Sequence, residues 1–187
     1  MRIQWATVIF LAAISAADIN AEEKIDVDVY ISDKISPTKI LEHNKAIVSS
    51  IFDRVGVQIH WHEGEAGLRS FGIRLVEGAP PSASSEALAS TSLGGAEITV
   101  YYDRVRQRLS RAHPGAAKVA LAYVFAHELA HAMQRIARHS ESGILKADWS
   151  NDDFAAMLFN TLAFTDSDTN LIRTGLCSRL LATGGVH

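Results

Sequence analysis

His127-Glu128-Leu129-Ala130-His131 closes a run that begins Ala116-Ala117-Lys118-Val119-Ala120-Leu121-Ala122-Tyr123-Val124-Phe125-Ala126. The run is made of helix formers with apolar residues on a broad face, and Pro114 sits where a first turn accepts it. It therefore predicts a buried helix, ending near Ala137. Residues four apart on such a helix lie about 40° apart around the axis and about 6 Å along it, so His127 and His131 can reach one ion. Glu128 points about 100° away from that direction, which leaves its carboxylate free to hold an activated water as a general base. The plainer reading is a pair of core histidines satisfied by hydrogen bonds.

Catalytic zinc is held by three protein ligands with one position open, whereas a fourth ligand closes the site and makes it structural. His139 is the first candidate for the third ligand, because a chain reversal after the helix brings it back to the His127/His131 pair. Glu141, Asp148, Asp152 and Asp153 are the competing carboxylates. Asp152 and Asp153 also suit the acidic first turn of a following helix.

The segment His139-Ser140-Glu141-Ser142-Gly143-Ile144-Leu145-Lys146-Ala147 resembles the passage from third His ligand to Met-turn in the metzincin group of zinc endopeptidases. It is also similar to a set of small secreted bacterial proteins that carry an H-E-x-x-H helix, a later His-Ser and Gly-Ile-Met-x-Ala-x-Trp. This chain supplies Gly143, Ile144, Leu145, Ala147 and Trp149 to that pattern. The resemblance is specific over about residues 123–149. It implies a zinc peptidase with His127, His131 and His139 as ligands and Glu128 as catalytic base. Two departures stand out. Seven residues, Ala132-Met133-Gln134-Arg135-Ile136-Ala137-Arg138, separate the second and third His, and none is the glycine that the family places at its bend. The helix must then run further, or turn without a glycine's freedom. Leu145 takes the Met place, a swap that roughly conserves volume.

Met1-Arg2 followed by an apolar run from Trp5 to Ala17 reads as a signal peptide over residues 1–21, too short to span a bilayer. The mature chain is then expected to be secreted or periplasmic, to begin between Asp18 and Glu22, and to keep no membrane span. Residues 22–187 make a single domain of ordinary size, with 48% hydrophobic residues over the whole chain and hence material for a core. Within it, residues 22–138 are expected to form an N-terminal subdomain and 139–187 a helical C-terminal one. Cys177 is the lone cysteine, so no internal disulfide staples the fold. A net charge of -3 carries no basic footprint and argues against nucleic acid.

Ile25-Asp26-Val27-Asp28-Val29-Tyr30-Ile31 alternates strictly and predicts a strand. Ser36-Pro37 opens a helix running to about Val55, with Ile40, Leu41, Ala46, Ile47, Ile51 and Phe52 as its apolar stripe. Val57–His62 is a second strand, and the β-α-β unit implies a parallel neighbour. Phe71–Val76, a short edge strand from Ala87 to Leu93 before Gly94-Gly95, and Ile98–Tyr102 follow, then helical turns from Asp103 to Arg111. Past Trp149, helices are expected from Asn151 to Asn160 and from Thr165 to Leu176. His60 and His62 share a strand face and read as surface, His43 lies on a polar helix face, His113 precedes a proline, and His187 is terminal.

The whole predicts an α+β, metzincin-like zincin: a small, mostly parallel sheet, the H-E-x-x-H helix, and a helical C-terminal part. The expected activity is peptide-bond hydrolysis by zinc-activated water, on a peptide or protein substrate. Tyr101, Tyr102 and Tyr123 are the tyrosines available to assist. The alternative is an exported zinc-binding protein with little catalysis, in which the metal serves stability or a partner.

Overall fold

A computed structural model describes residues 24–184, apart from 33–34, 36–37, 86, 92–95 and 113. The expected signal peptide, the Ser36-Pro37 helix start, Gly94-Gly95, His113 and His187 lie outside the described residues.

Strand β1 (Ile25–Ser32) owes its place to its alternation. Val27, Val29 and Ile31 enter the core while Asp26 and Asp28 stay outside. Helix α1 (Thr38–Asp53) returns the chain to β2 (Val57–Glu63), which pairs with β1 in parallel. Strand β3 (Phe71–Val76) joins the other side of β1, and β5 (Glu97–Tyr101) joins β3, both parallel. Among the described residues the three-residue β4 (Ala89–Thr91) is the one antiparallel member and forms an edge, giving the order β2-β1-β3-β5-β4. One face of this sheet carries the helices. The other presents Asp26, Asp28, His60, His62, Arg74 and Glu97, each at least partly exposed. His60 and His62 bond to Asp26 and Asp28 at 2.7 Å on that face.

Helix α2 (Tyr102–Ala112) leads into α3 (Ala117–Gln134), which carries the H-E-x-x-H stretch. Nearly every residue of α3 from Ala120 onward is buried, as expected of a helix apolar all round. It packs on α1, α2, the sheet, α4 (Asn151–Leu158) and α5 (Asp166–Gly184). Ser150 and Asp153 form a reciprocal capping box at the start of α4. No helix among the described residues is long and apolar enough to cross a membrane.

Several expectations need correction. Helix α3 stops at Gln134 and does not reach Ala137, because Arg135 adopts φ 59° and ψ 28° and ends it. Helix α5 continues to Gly184 rather than stopping near Leu176. The described part of the edge strand is Ala89–Thr91, shorter than Ala87–Leu93. In α1 the buried stripe is Leu41, Asn44, Lys45, Val48, Ile51 and Phe52, and Ile40 and Ala46 face outward. The helical period from Leu41 selects Asn44 and Lys45 despite their polarity. Asn44 accommodates this by donating Nδ2–H to the Ile40 carbonyl at 2.7 Å.

Helices α3 and α5 meet at Gly175, where an added β-carbon would lie 2.1 Å from the Met133 carbonyl oxygen. In an open helix, Gly→Ala stabilises by about 0.5–1 kcal/mol. Here the sign should invert. Gly175→Ala is expected to destabilise the protein by about 1–3 kcal/mol, as overpacking does; urea denaturation of the two proteins measures it.

Candidate metal centre

The first two ligand-type side chains are fixed by the chain that returns over α3. His127 places Nδ1 at 2.9 Å from the Ile144 carbonyl oxygen, and His131 places Nδ1 at 3.1 Å from that of Ile136. A carbonyl only accepts, so each Nδ1 carries the proton and each neutral ring turns a bare Nε2 inward. The two Nε2 atoms face each other at 3.0 Å. With no proton between them, these lone pairs repel, and burial opposes adding one. It holds His127 down at about 4, the 144 carbonyl only partly opposing this, and lowers His131 as well. A metal cation satisfies both nitrogens without that cost.

His139 completes the group. Its ring centroid lies 5.3 Å from that of His127 and 5.1 Å from that of His131. One ligand atom from each of the three lies within 4.8 Å of the others, and no fourth His, Cys, Asp or Glu joins this cluster among the described residues. The donor set fits zinc, which takes neutral imidazole nitrogens in tetrahedral geometry. His139 is exposed, yet its own shift is also downward, from partial desolvation and then the neighbouring His131.

Of the competing carboxylates, Asp153 is taken up by Lys146 at 2.7 Å and by the α4 capping box. Asp152 sits exposed in the first turn of α4, and Glu141 is exposed in the loop. Asp148 borders the space over the cluster without joining it.

The seven-residue spacer works without glycine because Arg135 takes the left-handed turn itself. Its N–H returns to the His131 carbonyl at 2.9 Å, and the reversal follows at once. The descending segment is then tied twice. Ser140 N–H donates to the Leu145 carbonyl at 2.8 Å, and Ile144 N–H to that of Ala163 at 3.0 Å. Gly143 is required at the second tie. It has φ 78°, and a β-carbon there would stand 2.4 Å from the Ala163 oxygen. Leu145, at the Met place of the family pattern, is fully buried. Trp149 donates Nε1–H to the Ile144 carbonyl at 3.2 Å and sets its ring edge-on to His127 at 5.8 Å.

A cavity of about 840 Å³ opens over the cluster, with Leu88–Thr91 on one wall and Lys146–Trp149 on the other. Glu128 lines it half-buried and accepts a hydrogen bond from the Thr91 hydroxyl at the end of β4. Burial raises the Glu128 carboxyl above its ordinary range, and Thr91 pulls it back. None of the three candidate tyrosines lines this cavity. Tyr123 is buried and donates to Asn160 Oδ1 at 3.1 Å, and Tyr101 donates to Ser90 Oγ at 3.3 Å. Thr91 and Asp168, whose carboxylate receives Arg138 and Ser140, were not foreseen. Both act across long stretches of chain, and no local pattern in the sequence signals either.

The fold is similar to that of the archaemetzincin from Methanopyrus kandleri, at a TM-score of 0.54 and 13% sequence identity, over 85% of this chain and 99% of the other. At that identity the likeness establishes a shared fold. The sequence matches no family model and no curated protein. A metzincin-like fold with a three-histidine cluster on and beside its central helix is thus what this chain presents.

The shifts set a pH dependence for the metal-free protein. His127 has an ordinary value of 6.5 unfolded and about 4 folded, so between those values the unfolded chain holds the extra proton. Stability therefore falls as pH drops through that window; His131 and His139 act in the same direction. Glu128, raised on folding, opposes them, since its contribution is present at low pH and lost as pH rises. Between pH 7 and pH 5 the His127 share is about 1–2 kcal/mol. Chemical denaturation at both pH values should show a smaller acid loss for His127→Asn than for the wild type, and a larger one for Glu128→Gln.

Proposed function

We propose that this chain is an exported zinc-dependent peptidase. The observation that carries the reading is the pair of inward-facing, unprotonated Nε2 atoms, completed by His139, with Glu128 on the next helical position and no fourth ligand among the described residues. A closed structural site has no use for that open position or for that carboxylate. His127, His131 and His139 would hold the ion. Zinc, when bound, supplies Lewis acidity and brings the pKa of coordinated water toward about 7.

The remaining chemistry belongs to the chain. Glu128 accepts a proton from water as it attacks the scissile carbonyl and returns it to the leaving amine. The Thr91 hydroxyl fixes one oxygen of that carboxylate, leaving the other to take the proton. A carboxyl raised by burial suits a group that must give back the proton it accepts. The edge strand β4 forms a cavity wall at which an extended peptide or protein segment could add by backbone pairing. On this reading the expected N-terminal subdomain, residues 22–138, and the helical one, residues 139–187, would each supply one wall of the cleft. Export is supported by Met1-Arg2 and the apolar run from Trp5 to Ala17, and the small secreted bacterial proteins similar over residues 123–149 are the relatives that this reading favours.

The test is elemental analysis of the purified mature protein together with cleavage of a peptide library. Expected are one zinc per chain and a mass that begins between Asp18 and Glu22. Glu128→Gln should lower cleavage by about 10²–10⁴-fold with zinc retained, and His139→Ala should weaken zinc. Full zinc retention in His139→Ala would move the third ligand to a carboxylate, and tightly held zinc without cleavage would establish a binding protein instead.

A further inference from the structure

His139 differs from the other two histidines in having no helix beneath it. It is exposed, and the segment from Ile136 to His139 has no regular structure. Its backbone is secured on the downstream side, where Ser140 pairs with Leu145 and bridges to Lys146. On the upstream side the Ile136 carbonyl is spent on His131. Left so, the imidazole would sweep a wide arc and the site would lose its third ligand for much of the time.

Asp168, the third residue of α5, is fully buried and meets this segment on both flanks. Its Oδ1 accepts from Arg138 Nη2 at 2.8 Å and from Ser140 Oγ at 2.6 Å. Its Oδ2 accepts from Thr165 N at 3.2 Å and Thr165 Oγ1 at 2.7 Å, while Asp168 N–H donates to Thr165 Oγ1 at 3.1 Å. Its carbonyl accepts from Gln134 Nε2, at the end of α3, at 3.3 Å. The capping box of α5 needs Oδ2 alone. Oδ1 is surplus to the cap and is used wholly on the residues before and after His139. Oδ2 is held by the Thr165 backbone N–H as well as by its hydroxyl, so the carboxylate keeps its orientation when the hydroxyl alone is removed.

We propose that Asp168 is the positioning residue of the third histidine: its buried carboxylate clamps Arg138 and Ser140 to the start of α5 and so holds His139 at the pair on α3. Asp168 also bears on the glycine-free spacer, since its carbonyl holds Gln134 before the turn at Arg135 and its carboxylate holds Arg138 after it. It rests on the reading of the three histidines as zinc ligands.

Asp168→Ala would uncap α5 as well, so the test separates the two roles. Arg138→Met/Ser140→Ala removes the clamp and leaves the cap; Thr165→Ala removes the cap and leaves the clamp. Ser140→Ala alone is the fallback should the double variant fail to fold. Zinc affinity is measured by chelator competition, the ligand field by the visible spectrum of the cobalt-loaded protein, and folding by circular dichroism. The double variant should be folded, bind zinc about 10–100-fold more weakly and give an altered cobalt spectrum. The single Ser140→Ala should show the same changes in smaller degree. Thr165→Ala should lower the melting temperature and keep zinc affinity within about twofold. A folded clamp variant with affinity within that range and an unchanged cobalt spectrum overturns the inference alone, as does a Thr165→Ala protein that loses as much zinc as the double variant. A wild-type chain that holds no zinc overturns the peptidase reading and this inference with it.

Discussion

Two backbone carbonyls decide how this molecule is built. The oxygens of Ile136 and Ile144 each receive an imidazole Nδ1–H from α3, and each belongs to the chain after it has reversed. A helix alone fixes where His127 and His131 start, but not how their rings are turned. The carbonyls set the tautomer and the rotation together, and the bare nitrogens then meet face to face. An uncompensated pair of that kind in a buried setting is costly. Hence the returning loop has to be held as firmly as the helix. Gly143 against the Ala163 carbonyl and Trp149 on the Ile144 carbonyl serve that demand.

The parts of the fold that repeat locally were legible in the sequence. Strand β1 declares itself by alternation, α3 by its unbroken apolar character, and the edge position of β4 by its brevity between turn residues. The His127, Glu128, His131 spacing is likewise a property of one helical turn, and the assembly of His139 with them follows from the resemblance over residues 123–149. What could not be read is whatever depends on two distant segments meeting. Arg135 in a left-handed conformation is an example. That geometry costs a non-glycine residue about 1–2 kcal/mol, and nothing in Gln134-Arg135-Ile136 announces it. It persists because the chain on both sides is anchored elsewhere, to His131 and to Asp168. Asn44 and Lys45 in the core stripe of α1 are a second case, since helical phase there outweighs polarity.

Asp168 illustrates why local patterns and global roles diverge. Thr165-Asp166-Ser167-Asp168 reads from the sequence as a helix start, and it is one. A capping box leaves one carboxylate oxygen with nothing prescribed for it. In an exposed cap that oxygen would meet water. Here the residue is fully buried, so the free oxygen must find protein donors, and the nearest are on the loop that carries His139. Burial thus converts a commonplace cap into a long-range tie.

The same reasoning bears on Glu128. Burial pushes its carboxyl up, and the Thr91 hydroxyl, followed by the charge of His139, opposes this. Thr91 ends β4, the edge strand of the order β2-β1-β3-β5-β4 among the described residues. The element that walls the cavity therefore also orients the carboxylate beside the three histidines. A segment pairing along β4 would press on the strand that carries this hydroxyl. Thr91 thus ties the edge of the sheet to the carboxylate beside the histidine cluster within a three-residue strand.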